Sequence, residues 1–145
     1  MVLAEPLPPD ASTASTGLGL RYVGSGDTHQ FCYAYSGQTS LASGAASTML
    51  DFTSGSGVIL ALVQSSHDTT QMSAGQTLST EIQFNELVIY DHLTLRTDTD
   101  TQTVDLGSPI NLIIPPFTHV KIIGATSDAG PIPTTYQLTG RVYGL

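Results

Sequence analysis

The sequence predicts an all-β chain, an antiparallel two-sheet sandwich of the jelly-roll type, on three observations. Eight short runs of β-forming residues alternate with turn residues from Leu18 onward. No stretch keeps the 3.6-residue period of a helix for three turns. Two of the runs are parted only by Asn85-Glu86, and asparagine tolerates the positive φ that a type I′ hairpin turn demands, although glutamate suits the second turn position less well than glycine. Eight such runs suit two packed sheets.

The expected strands, in order, are 30–35, 48–52, 58–65, 78–84, 87–93, 111–114, 119–125 and 135–143. Residues 37–44 and 54–57 read as loops, and so does 96–107, where Thr and Asp alternate through Asp98, Asp100 and on to Asp105. Pro115-Pro116 ends the strand before it, because neither proline donates to a ladder and each restricts its predecessor. A chain of 145 residues is long enough for one core. The expected division is an arm over residues 1–17, with Pro6, Pro8 and Pro9 followed by a Ser/Thr/Ala run, and a single domain over 18–145. The arm has too little to bury to order by itself, so it either frays or orders against a neighbouring subunit.

Composition excludes several classes of function. Only 11% of residues are charged, against the roughly 25% usual in soluble domains, and Ser, Thr, Gln and Gly fill the polar positions. Arg21, Arg96, Lys121 and Arg141 face twelve acidic residues, for a net charge of −8. Such a field repels phosphate, so no direct nucleic-acid partner is expected, and no polybasic patch offers itself to anionic lipid. No eighteen-residue apolar run suggests a membrane span, and residues 1–10 lack the basic-then-apolar order of a signal peptide, so neither is expected. Cys32 is the single cysteine and reads as a buried structural thiol, leaving no intrachain disulfide and no multi-cysteine zinc site.

Catalytic and metal signatures are missing, and the expectation is a protein that is not an enzyme and takes no cofactor. The nucleophile elbow, the Walker loop and the dinucleotide fingerprint do not occur. His29, His67, His92 and His119 stand singly, without the spacings of a metal-binding helix or strand. His67-Asp68 and Asp91-His92 read as surface or turn pairs, since strand neighbours point to opposite faces. Asp98, Asp100 and Asp105 could offer oxygen ligands to a hard cation, but the run lacks the glycine and terminal glutamate of an EF-hand and reads as a solvated loop.

Where the sequence does speak of function is in strands apolar on both faces. A sheet with one wet face alternates apolar and polar residues, yet Val58-Ile59-Leu60-Ala61-Leu62-Val63 does not, and Leu87-Val88-Ile89-Tyr90 and Val120-Lys121-Ile122-Ile123 share the excess more weakly. Each large apolar side chain left in water forgoes roughly 1.5–3 kcal/mol. Either the chain's own loops or arm cover these faces, or another subunit does. The candidate subunit interface is therefore Val58, Ile59, Leu60, Leu62, Val63, Leu87, Val88, Ile89 and Tyr90, with a closed symmetric homo-oligomer as the form to expect.

The run from Asn111 through Pro115-Pro116-Phe117 to Ile122, followed by Tyr136-Gln137-Leu138-Thr139-Gly140-Arg141-Val142-Tyr143, resembles the last strands of small jelly-roll capsid and decoration (cement) proteins of bacterial viruses. The hairpin from Glu81 to Tyr90 is similar to their central hairpin, and the resemblance spans roughly residues 48–143. It implies a virion structural protein without enzyme activity, present in many copies and often trimeric. The implied partners are copies of itself and a major capsid or other virion protein; the implied location is the virion, after synthesis in the host cytoplasm. The alternative expectation is a receptor- or glycan-binding jelly-roll module of a phage tail or fibre. The absence of tryptophan counts against that, because sugar sites favour aromatic platforms.

Overall fold

The structure, a computed structural model, describes residues 19–23, 31–95, 104–128 and 131–143. The expected arm, His29, Arg96, Asp98 and Asp100 lie outside the described residues.

Asn85 and Glu86 turn the chain with φ of 48° and 68°, both in the left-handed region that a type I′ turn requires. From that turn the chain runs back on itself as one long hairpin. Strand β6 (Thr77–Phe84) pairs with β7 (Leu87–Leu95), and β5 (Val58–Asp68) with β8 (Val104–Leu106) and β9 (Ile110–Ile114). Further out, β4 (Ser47–Thr53) pairs with β10 (His119–Thr126), and β2 (Phe31–Tyr35) and β3 (Thr39–Leu41) pair with β11 (Ile132–Tyr143). A short β1 (Arg21–Val23) joins β2 at the edge. Successive pairs alternate between the two sheets, and lateral pairing of β11 with β5 and of β10 with β6 rolls the hairpin up. The result is a seven-stranded sheet, with β1-β2-β11-β5-β8 as its main path, over a four-stranded sheet β4-β10-β6-β7, all antiparallel. This is the jelly-roll sandwich that the sequence predicts.

All eight expected strands form, most of them a residue or more longer than expected. The loop reading of 37–44 and of 96–107 needs correction, because β3 and β8 fall inside those stretches. Both are three-residue strands that borrow their order from a long neighbour, β11 or β5, and such strands carry no periodic signal of their own. Strand β11 also starts three residues early, before Pro133. The proline is tolerated because the ladder with β5 begins only at Thr134, so Pro133 faces only the short β3.

Between the sheets lie Leu50, Phe52, Ile59, Ile82, Ile114, Ile122, Ile132, Tyr136 and Leu138, each essentially without solvent contact. One row across the seven-stranded sheet is narrow: Cys32, Gly140 and Ala61 stand side by side on β2, β11 and β5. A Cβ on Gly140 meets Ile59 Cγ2 at 2.6 Å and Cys32 Sγ at 3.0 Å, so only glycine fits. Cys32 is buried as expected, and burial pushes its thiol up to about 12, which keeps it protonated and unreactive at neutral pH.

Candidate interaction surfaces

Strand alternation sorts the candidate interface residues. Ile59 and Val63 point into the core and are 0% and 1% exposed, so they form no part of an outer face. Leu60 points outward at 47%, while Leu62 and Val58 are half-buried. The register then builds a surface around Leu60. Phe31, Arg141, Leu60 and Ile113 form one row across β2, β11, β5 and β9, and Tyr33, Thr139, Leu62 and Asn111 form the next. Phe31, Tyr33, Ile113 and Tyr143 are each close to half exposed or more. Phe31, Leu60, Leu62, Ile113, Thr139 and Arg141 line a shallow depression of about 570 Å³ that is mostly apolar. Its single charge is Arg141, whose guanidinium lies 5.8 Å from the Phe31 ring centroid and 5.6 Å from that of Tyr143. Delocalised and weakly hydrated, a guanidinium held between two rings adds a donor to the patch without breaking its apolar character.

The second group lies on β7, an edge strand of the smaller sheet. Leu87, Val88 and Ile89 are 69%, 48% and 43% exposed, and Leu93 and Leu95 continue the series at 63% and 54%. Of the large apolar residues here, Tyr90 alone turns inward and packs against the core. A register shift opposite Ile82 and Gln83 bulges the strand at this point, a device that re-aims side chains at sheet edges. An edge strand carrying this much exposed aliphatic surface is a template for pairing with another chain. Among the other two-faced residues, Val120 and Ile122 enter the core and Ile123 is half-buried at a second register shift.

The sequence did not single out Phe31, Tyr33, Tyr35, Ile113 or Arg141. Their signal was present as the alternation of large and small residues in Phe31-Cys32-Tyr33-Ala34-Tyr35. It was misleading because the aromatic set faces outward: on the inner side Cys32 shares the narrow row of Gly140, and Ala34 faces Leu138.

The described histidines fall into two sites. His119 on β10 is gripped from both ends, with Nε2 2.6 Å from Asp51 Oδ1 on β4 and Nδ1 2.9 Å from Glu86 Oε1 in the hairpin turn. The hydrogen bond to Asp51 holds its pKa above the ordinary histidine value, with Glu86 adding to the shift and partial burial opposing it. His67 corrects the surface-or-turn expectation, for it is 5% exposed within β5, and its Nδ1 lies 3.0 Å from Thr134 Oγ1. With His92 it lines a cleft of about 200 Å³ between the sheets. Asp68 faces away from this pair: its carboxylate caps the 3-10 turn Thr69–Gln71 by accepting from the Thr70 amide and hydroxyl, which lowers its pKa. Of the acidic loop, Asp105 lies on described backbone, at the register position opposite His67. Among the described residues no group of three or more His, Cys, Asp or Glu is placed to hold a metal ion, and no helix is long and apolar enough to cross a membrane.

No known family model matches the sequence, and no curated protein does. Solved structures share the fold. A chain of infectious bursal disease virus, Gx strain, superposes with a TM-score of 0.57 at 17% identity, over 85% of this chain and 34% of that one. The VP2 subviral particle of the same virus gives 0.52 at 16% identity, over 84% and 35%. Dimeric latent PorU of Porphyromonas gingivalis gives 0.51 at 13% identity, over 74% and 11%. The chain thus spans about a third of the length of the viral chains it matches, and a much smaller part of PorU. At these identities the likeness is one of fold, and the fold is found both in a virus particle and in a bacterial protein.

Proposed function

We propose that this chain is a structural subunit of a virus particle, a decoration or minor capsid protein that assembles with copies of itself and binds the shell, and that it is not an enzyme. The observation that carries the reading is the apolar outer face of the seven-stranded sheet. A jelly roll closes its core between its sheets, so the row Phe31, Arg141, Leu60 and Ile113 contributes nothing to the monomer's own core. Several aliphatic and aromatic side chains left in water at roughly 1.5–3 kcal/mol each make a standing incentive for association. A second copy of the chain is the occupant argued for, with β7 as the second contact, and a closed trimer is the form that the resemblance to decoration proteins favours. The fold shared with the infectious bursal disease virus structures supports a virion role, and the resemblance to bacterial-virus proteins supports a phage.

The deciding experiment has two parts. Light scattering across a wide concentration range should give a discrete homo-oligomer. Co-sedimentation with virus particles stripped of this protein should then show saturable addition. A folded monomer at high concentration that fails to add to particles overturns the reading.

A further inference from the structure

Along three strands, β5 on the larger sheet and β6 and β7 on the smaller one, the inward-facing residues change character toward one end of the sandwich. On β5 the inward series runs Ile59, Ala61, Val63 and then Ser65 and His67; on β6, Thr80 interrupts Leu78 and Ile82; on β7, Tyr90 gives way to His92 and Thr94. These polar side chains converge with Ser108 on the cleft of about 200 Å³. His92 and Ser108 stand at the exposed mouth, but exposure does not account for His67 and Thr80, which are 5% and 8% exposed, where apolar residues would stabilise the core better. Local departures of this kind from the pattern the fold prefers are concentrated at functional sites.

The deep groups are held in place from behind. Thr134 donates its hydroxyl to the Ile132 carbonyl at 3.2 Å, leaving its oxygen to accept from His67 Nδ1–H at 3.0 Å, and the Thr80 hydroxyl is hydrogen-bonded to the buried Tyr136 hydroxyl. Tyr136 also meets the His67 ring edge-on at 5.8 Å. Across the cleft from His67, and beside Thr80 on the smaller sheet, the Tyr90 and His92 rings stack at 6.3 Å with 26° between their planes. Preorganised polar groups facing an apolar ring surface are what orients a small ligand.

We propose that this cleft binds a single neutral polyhydroxylated ring, a monosaccharide unit. A cleft of about 200 Å³ has room for one sugar ring. Hydroxyl and imidazole groups match the mixed donor and acceptor character of sugar hydroxyls, whereas an apolar guest would strand them without partners. The described lining residues include no Asp, Glu, Lys or Arg, and the net charge of −8 disfavours an anion. The site is independent of the assembly reading, for it lies between the sheets and not on the outer face.

Saturation-transfer difference NMR on the intact protein tests this, with glucose, galactose, mannose and N-acetylglucosamine as probes. It reads the sugar signal and therefore works for monomer and oligomer alike. At least one sugar should receive saturation with a millimolar dissociation constant. Ser65→Ala and Thr94→Val should each weaken that binding about three- to tenfold, the loss expected for one hydrogen bond. Gln64→Ala, on the outward side of β5, should leave it unchanged. Transfer to none of the four sugars, or transfer that survives both cleft variants in folded protein, overturns the proposal. Neither result bears on whether the chain assembles.

Discussion

The two sheets of one sandwich present opposite outer faces. Across β4, β10 and β6 the outer positions include Asp51, Thr53, His119, Lys121, Glu81 and Gln83, with Ile123 as a half-buried aliphatic among them, and His119 and a 3.9 Å approach of Lys121 Nζ to Glu86 tie the charged groups together. Across β2, β11, β5 and β9 they are Phe31, Tyr33, Leu60, Leu62 and Ile113 around a single Arg141. Both sheets bury an inner face of the same aliphatic kind, so the core does not require the contrast. Water is a sufficient neighbour for the first face. The second leaves large apolar side chains in water, and on the smaller sheet such exposure is concentrated at the β7 edge.

The sharpest way to break this contrast uses adjacent residues on β5. Ile59→Asp places an unpaired charge among Cys32, Gly140 and Val142, and should cost on the order of 4 kcal/mol or more, much of the total stability of a domain this size. Leu60→Asp should leave the thermal melting of the monomer nearly unchanged and dissociate the oligomer in light scattering. If both variants unfold alike, the outer face belongs to the folding unit and no partner is needed. Gly140→Ala comes next in size. Its Cβ cannot coexist with Ile59 Cγ2 at 2.6 Å, so the two strands must part, at about 1–3 kcal/mol of overpacking visible as a lower melting temperature.

The sequence revealed the sandwich because a jelly roll is mostly local alternation and turns: the Asn85-Glu86 turn and the long runs from Val58 and Leu87 were readable without a partner strand. It did not reveal β3 or β8, whose order comes from β11 and β5. The exposed apolar surface was half legible. A run apolar on both faces announces that something covers it, which marked Leu60 and Leu87 to Ile89 but could not tell Ile59 from Leu60. Alternation gives two sets of residues and not which set faces inward; at Phe31 to Tyr35 that choice is made by Gly140, more than a hundred residues away in the chain. The His67–His92 cleft was illegible for the same reason, since its residues meet only after the sheets have packed.

Changes on β7 should be milder. Val88→Lys and Leu93→Lys, both at exposed outward positions, should leave monomer stability within about 0.5 kcal/mol, as surface substitutions usually do. If β7 is the second contact, each should weaken self-association in sedimentation equilibrium while the Leu60 face still associates. Unchanged association would confine the interface to the larger sheet.

The smallest expected effect belongs to the polar face and is a matter of sign. Carboxylates only accept, so His119 can donate to Asp51 and to Glu86 at once only when both ring nitrogens carry protons. Its pKa in the folded chain is raised above the unfolded value of about 6.5, and the stabilisation is therefore fully present below that value and is lost as pH rises through the folded one. Because His119 and Asp51 are each about a third exposed and Glu86 two thirds, solvent screens the cluster, and the contribution should stay within about 1 kcal/mol. Melting temperatures of the wild type and of His119→Gln, compared from pH 5 to pH 9, should differ most near the acid end and converge as the solution becomes alkaline. The difference should also shrink with added salt. A gap that widens with pH would mean that neutral His119 is the stabilising form and that the charged clamp on the hairpin turn contributes nothing to the face that needs no partner.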